Sequence, residues 1–175
     1  MIINICLLMA TLSFSNCDKK QYESYPPSDN ENISVSETKE HLTIHSTIAD
    51  VLTHPAFNGF SRYILPLEWG YDANMQLSNV SRLLPYHNYI DAERCVGYIN
   101  QMIDSVATGR RIYYDLGRED AGLFFFRGRP GAPFAVICPG GGFSYVGSIH
   151  EGFPHALVLS QMGYNVFVIQ YQTGS

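Results

Sequence analysis

The stretch Phe134-Ala135-Val136-Ile137-Cys138-Pro139-Gly140-Gly141-Gly142-Phe143 sets an apolar run of strand length directly against three consecutive glycines. An unbroken apolar run predicts a strand covered on both faces, because a half-exposed strand alternates apolar with polar residues. Glycine adopts φ > 0 at little steric cost and carries no side chain. A glycine run after a strand therefore lets a ligand oxygen reach backbone N–H groups. Without its surroundings, the triplet reads equally well as a plain loop.

Downstream, residues 154–162 read as a short helix, with Pro154 suited to its first turn and Gly163 to its end. Ser148 and Glu151 have capping-box spacing, but Pro154 favours the later start. Residues 165–171, with Val166, Phe167, Val168 and Ile169, form a second buried-type strand. Strand, helix, strand in this order is a βαβ unit, which predicts parallel pairing. Upstream, residues 111–116 and 122–127 are rich in aromatic and branched side chains and flank the polar stretch 117–121. That pattern predicts a β-hairpin. The fold class is thus α/β, a hairpin followed by a parallel βαβ unit.

Further upstream, Ala92, Val96, Ile99, Ile103 and Val106 recur at helical spacing and mark one apolar face of a helix over residues 91–107. Asp91 is its N-cap and Gly109 its stop. Thr47 and Asp50 are placed as a capping box for a short helix over 47–52, and His54-Pro55 ends it. Residues 56–88 show no sustained period and predict irregular structure with short turns. Their aromatics, including Trp69, Tyr71, Tyr86 and Tyr89, either pack this segment on the core or line a ligand cleft.

The 175 residues are 46% hydrophobic and 15% charged, and carry a net charge of −5. That suits a single packed core, and without a basic block it disfavours a nucleic-acid partner. Four cysteines without a C-x-x-C pair predict neither a disulfide framework nor a structural zinc. Cys95 and Cys138 read as buried free thiols. Residues 2–14 are almost wholly apolar, the length of a signal-peptide core and short for a membrane span. They lead into Phe14-Ser15-Asn16-Cys17, which resembles a bacterial lipoprotein signal with Cys17 as the lipidated residue. An ordinary cleaved secretory signal is the other reading. Either way the chain is exported to the cell envelope, lipid-anchored in the first case. The expected organisation is a signal segment over 1–17, a polar tether over 18–40 that buries too little to order itself, and a domain over 41–175. Asn32-Ile33-Ser34 fits a glycosylation sequon.

The order strand, Pro139-Gly140-Gly141-Gly142-Phe143, Pro-started helix, strand ending in Tyr171 resembles the α/β-hydrolase superfamily around its oxyanion loop. The closer likeness is to bacterial acetyl-xylan and feruloyl esterases, which share the proline before the glycines, the Glu151-Gly152 step and the Tyr171 ending. It covers residues 122–174 in detail, and the region from His54 through Asp115 less specifically. The resemblance implies that the N–H groups of Gly141 and Gly142 hold an oxyanion and that Phe143 and Tyr145 border the acyl pocket. It also places the third strand of the sheet between the fourth and a fifth, so that without a fifth strand residues 134–138 are expected to form an exposed, apolar edge, a template for aggregation. Its substrate class is an acylated carbohydrate or another small ester, with no cofactor and no metal.

The nucleophile is missing. A hydrolase of this kind needs a serine on a G-x-S-x-G elbow, then an acid, then a histidine. No such elbow occurs among the 175 residues. Ser144 has Gly142 two positions before it but Val146 two after, and Ser148 and Ser175 fit no better. His150 and His155, five apart, are poorly spaced for one helical face and do not predict a metal pair. The expectation is the N-terminal part of an esterase, inactive alone. The alternatives are a non-catalytic surface lipoprotein that binds carbohydrate or a partner, and a subunit completed by another chain.

Overall fold

Four strands lie in the order β1-β2-β4-β3, in a computed structural model that describes residues 40–84 and 90–174. β1 spans Tyr113–Arg118, β2 Ala121–Phe126, β3 Phe134–Ile137 and β4 Asn165–Gln170. The predicted hairpin is the antiparallel pair β1–β2. The predicted βαβ unit is present, with β3 and β4 parallel. β2 also pairs antiparallel with β4, Phe124 opposite Val168 and Phe126 opposite Val166. The result is a mixed sheet, with β3 at its edge. The expectations that fall on the N-terminal 39 residues (Cys17 among them), on Tyr86 and Tyr89, and on Ser175 lie outside the described residues.

Three α-helices accompany the sheet: α1, Ile48–Thr53; α2, Ala92–Ala107; and α3, Phe153–Gln161. The capping box at α1 is as predicted. The Thr47 side chain accepts from the Asp50 N–H, and the Asp50 side chain accepts from the Thr47 N–H. The Thr47 N–H, and its hydroxyl at 2.9 Å, both donate to the Asp50 carboxylate and hold it below its usual range. Asp91 caps α2 by accepting from the Arg94 N–H. At the other end Gly109, with φ 76°, donates to Val106 O while Arg110 N–H donates to Ser105 O. Such paired bonds stop a helix by satisfying its last carbonyls. α3 begins at Phe153, with Pro154 in its first turn as the sequence suggests. A single π-helical turn, Ser148–Gly152, precedes it.

Three 3-10 segments, Pro55–Phe57, Ser61–Tyr63 and Leu77–Leu83, run through the described part of the irregular stretch, and its aromatics pack it onto the sheet. Phe60 stacks on Tyr113 with centroids 4.9 Å apart, and Tyr63 stacks on the same ring. The Tyr113 ring crosses Gly122, where a Cβ would lie 2.0 Å from the Tyr113 hydroxyl. Trp69 and Tyr71 instead remain about half exposed. The start of the described chain is tied to α2. Asn100 accepts from the Leu42 N–H and donates to the Leu42 carbonyl, both at 2.9 Å.

The core lies on one face of the sheet only. Phe124, Phe126, Val166 and Val168 are buried there with Ile99 and Ile103 of α2 and Phe153 and Ala156 of α3. The opposite face carries Phe125 stacked on Phe167 at 4.8 Å, and Phe134 edge-on to Phe167. Phe134 is 70% exposed and Val136 49%. The apolar run 134–138 is therefore not covered on both faces, as the sequence suggests. Its residues alternate, with Ala135 and Ile137 packed on the core and Phe134 and Val136 open. The same alternation exposes Cys138, correcting its reading as a buried thiol, while Cys95 is buried as expected.

Two outcomes follow from this packing. Burial pushes the Cys95 thiol up to about 12, so near pH 8 it is almost all thiol and unreactive. Brief alkylation of the native chain, read by mass spectrometry, will label Cys138 well before Cys95. An apolar, uncharged edge strand is a template for self-association. The chain will scatter light as concentration rises, and Val136→Lys will reduce that scattering while leaving the melting temperature within a few degrees.

Candidate active site

β3 runs into Pro139, which is buried, and the chain then turns through the glycines. Gly141 has φ 150° and Gly142 φ 59°, and Phe143 follows with φ 63°. Successive positive φ values are costly for residues with a Cβ, which explains glycine at two of the three positions. Space matters separately. A Cβ on Gly141 would sit 1.8 Å from the Tyr145 carbonyl oxygen, whereas one on Gly142 would meet nothing within 4 Å. The turn closes on itself, with Ser144 N–H donating to Gly141 O at 3.0 Å and Gly147 N–H to Gly140 O at 2.9 Å.

Its entry limb is held from outside. The Glu151 carboxylate accepts from the Gly140 N–H at 2.7 Å. Tyr171, just beyond β4, donates its hydroxyl to the Pro139 carbonyl at 2.5 Å. Burial raises the Tyr171 phenol, reinforced by Cys138 and Glu151 nearby, so the hydroxyl stays a donor at ordinary pH. Partial burial raises the carboxyl of Glu68, a residue otherwise exposed, against the lowering effect of nearby backbone N–H groups, those of Glu68 itself, Val146 and Leu67. Trp69 meets Tyr145 edge-on at 5.7 Å.

Neither Gly141 nor Gly142 donates its N–H in a hydrogen bond among the described residues. Unsatisfied donors of this sort, on a fixed turn beside a strand end, are what stabilisation of a developing oxyanion requires. Phe143 projects outward, 83% exposed. Tyr145 turns inward and is buried, its ring against Trp69 and, at 6.1 Å, His150. Of the two residues expected to border one pocket, one is thus exposed and the other buried.

The remaining polar groups have structural partners. Ser148 is fully buried, its hydroxyl 3.4 Å from the Gln170 amide oxygen. His155 Nδ1–H donates to the Glu151 carbonyl at 2.6 Å. His150 Nε2 lies 3.6 Å from the Glu151 carboxylate. Ser144 sits in the glycine turn itself. No group of three or more His, Cys, Asp or Glu side chains among the described residues could hold a metal ion. No described helix is long and apolar enough to cross a membrane.

Glu68 escapes sequence reasoning, because an isolated carboxylate in an aperiodic segment carries no local signal. Glu151 is legible only as part of a shared dipeptide and a rejected capping box. Beside these residues lies a cavity of about 280 Å³, lined by Asp91, Arg94 and Cys95 of the α2 start and by Ile149, His150 and Glu151. Comparison of the chain with protein-family models, with curated proteins and with solved structures finds no match in any of the three.

The two glycines separate conformation from space. Gly142→Ala adds a Cβ in open space at positive φ and will cost about 1–2 kcal/mol. Gly141→Ala drives a Cβ into a backbone carbonyl and will cost more, displacing the turn. Urea unfolding of both variants, with amide spectra of residues 140–147, checks the order.

Proposed function

We propose that this chain carries the oxyanion-holding part of a serine-esterase-type α/β-hydrolase whose substrates are acylated carbohydrates. The observation that carries the reading is the pair of uncommitted N–H groups at Gly141 and Gly142, on a braced turn between β3 and α3. In acyl transfer, negative charge grows on the carbonyl oxygen as the tetrahedral intermediate forms. Two fixed N–H donors at that oxygen lower the barrier, and losing one typically costs about 10² to 10³ in rate. The sheet order supports the same reading. The esterase resemblance places the third strand beside the fourth with its other edge awaiting a fifth, and β3 lies beside β4 with its other edge open.

The 175 residues contain no G-x-S-x-G elbow to supply the attack. A serine must lie within reach of a histidine that takes its proton, with an acid to orient that histidine. Ser148 is turned into the core and His155 is bonded to a backbone carbonyl. On this reading neither Ser148 nor His155 is the nucleophile or the base. A lipid on Cys17 would hold the domain near a membrane through the polar stretch 18–40.

A second reading, non-catalytic binding of carbohydrate or a partner at a surface lipoprotein, draws on the exposed rings of Trp69 and Tyr71. Aromatic faces suit the apolar faces of sugars. The two readings separate experimentally. The purified chain will show no turnover of an aryl acetate above background, and Ser144→Ala will leave that background unchanged. Saturable activity lost in Ser144→Ala would overturn this assignment. Xylan-oligosaccharide binding lost in Trp69→Ala would favour the second reading.

A further inference from the structure

We infer that Glu151 and Tyr171 are positioning residues that hold the glycine turn so that the Gly141 and Gly142 N–H groups converge on one anionic oxygen, an inference that rests on the oxyanion reading above.

Glycine runs are floppy by default, because glycine loses more conformational freedom on ordering than any other residue. A preorganised donor pair contributes most to catalysis when it needs no rearrangement as charge develops. Something must therefore restrain the turn without consuming its donors. The restraint falls on the residues immediately before it. Pro139 offers its carbonyl to the Tyr171 hydroxyl at 2.5 Å, and Gly140 offers its N–H to Glu151 at 2.7 Å. The single Pro139–Gly140 peptide group that enters the turn is thus fixed at both its C=O and its N–H, from two different elements, the β4 exit and the π turn. Gly141 and Gly142 are left with their N–H groups uncommitted.

The fit at this point is close. A Cβ on Gly140 would lie 2.8 Å from the Glu151 carboxylate oxygen. A Cβ on Gly147 would lie within 3.2 Å of both the His150 ring and the Glu151 carboxyl carbon. The π turn brings this about. Gly152 N–H reaches back to Gly147 O at 3.2 Å. That bond spans one residue more than an α-helical bond, which rotates the preceding side chains relative to α3. Glu151 thereby meets Gly140, eleven residues away in sequence.

A carboxylate accepting one N–H is also replaceable by a neutral acceptor, which separates positioning from charge. Glu151→Gln keeps an oxygen for the Gly140 N–H, whereas Glu151→Ala does not. The probe is acetate, whose carboxylate oxygen stands in for the oxyanion, titrated into the isotopically labelled full-length chain while amide resonances are followed. In the wild type and in Glu151→Gln, the Gly141 and Gly142 resonances will shift saturably. In Glu151→Ala the unliganded resonances will move or broaden, and acetate affinity will fall about tenfold or more, the usual loss for a charge-assisted hydrogen bond. Tyr171→Phe, which removes one hydroxyl, will act in the same direction and serves if Glu151→Ala does not fold. Melting temperatures near the wild-type value exclude general unfolding as the cause.

Unliganded Gly141 and Gly142 resonances and acetate responses unchanged in both Glu151→Ala and Tyr171→Phe would overturn the positioning role. Wild-type glycine resonances indifferent to acetate would overturn the oxyanion reading itself. In that case the unliganded resonances of the variants still report whether Glu151 and Tyr171 hold the turn.

Discussion

The close approach of Gly152 to the sheet governs the rest of the site. A Cβ at this position would lie 2.6 Å from Val168 Cγ1 and 3.0 Å from the Pro139 ring, so only glycine lets the chain pass here. Because it passes here, the π turn ends against β4 and α3 starts directly over the core. Phe153, the next residue, is then fully buried between Phe124 at 4.9 Å and Phe126 at 5.4 Å. Glu151, the residue before, is delivered to the Gly140 N–H. One backbone contact thus couples packing on one side to the geometry of the glycine turn on the other.

That coupling gives the turn two supports of different strength. Behind it stands a dry aromatic and aliphatic core, whose large side chains each contribute of the order of kilocalories when buried. In front of it stand the hydrogen bonds from Glu151 and Tyr171, each worth roughly 1 kcal/mol net. The core decides where the turn is, and the hydrogen bonds decide how it is shaped. Perturbing a core residue such as Phe153 therefore displaces everything, whereas Glu151 and Tyr171 act on the turn alone.

The sheet itself is asymmetric. Helices and the irregular segment fill one face, while Phe125, Phe134, Val136 and Phe167 are left on the other. An open apolar face next to an unpaired edge is a common site of further packing in α/β sheets, which bury both faces when helices cover them. The same arrangement leaves β3, and the glycine turn at its end, on the border between the covered and the open region.

Much of the fold was legible locally. The α2 stripe, the Thr47–Asp50 box, the Asp91 cap, the hairpin and the βαβ order all rest on interactions within one turn or between neighbouring elements, and each is written into adjacent residues. The glycine turn was legible for the same reason, since positive φ selects glycine wherever it occurs. What the sequence could not express was solvent access. The run 134–138 reads as doubly buried because composition records side-chain character and not neighbours; its place at the sheet edge followed only from the esterase resemblance and the lack of a fifth strand, and the sheet order bears it out. Nor could spacing reveal that Glu151 and Tyr171 converge on the Pro139–Gly140 peptide, or that Phe143 is exposed while Tyr145 is buried. Those relations depend on contacts between residues far apart along the chain. The residues by themselves determined where the backbone can turn and which stretches are helix or strand; tertiary packing alone decided which N–H groups are held in place and left open, because that depends on what surrounds them in space.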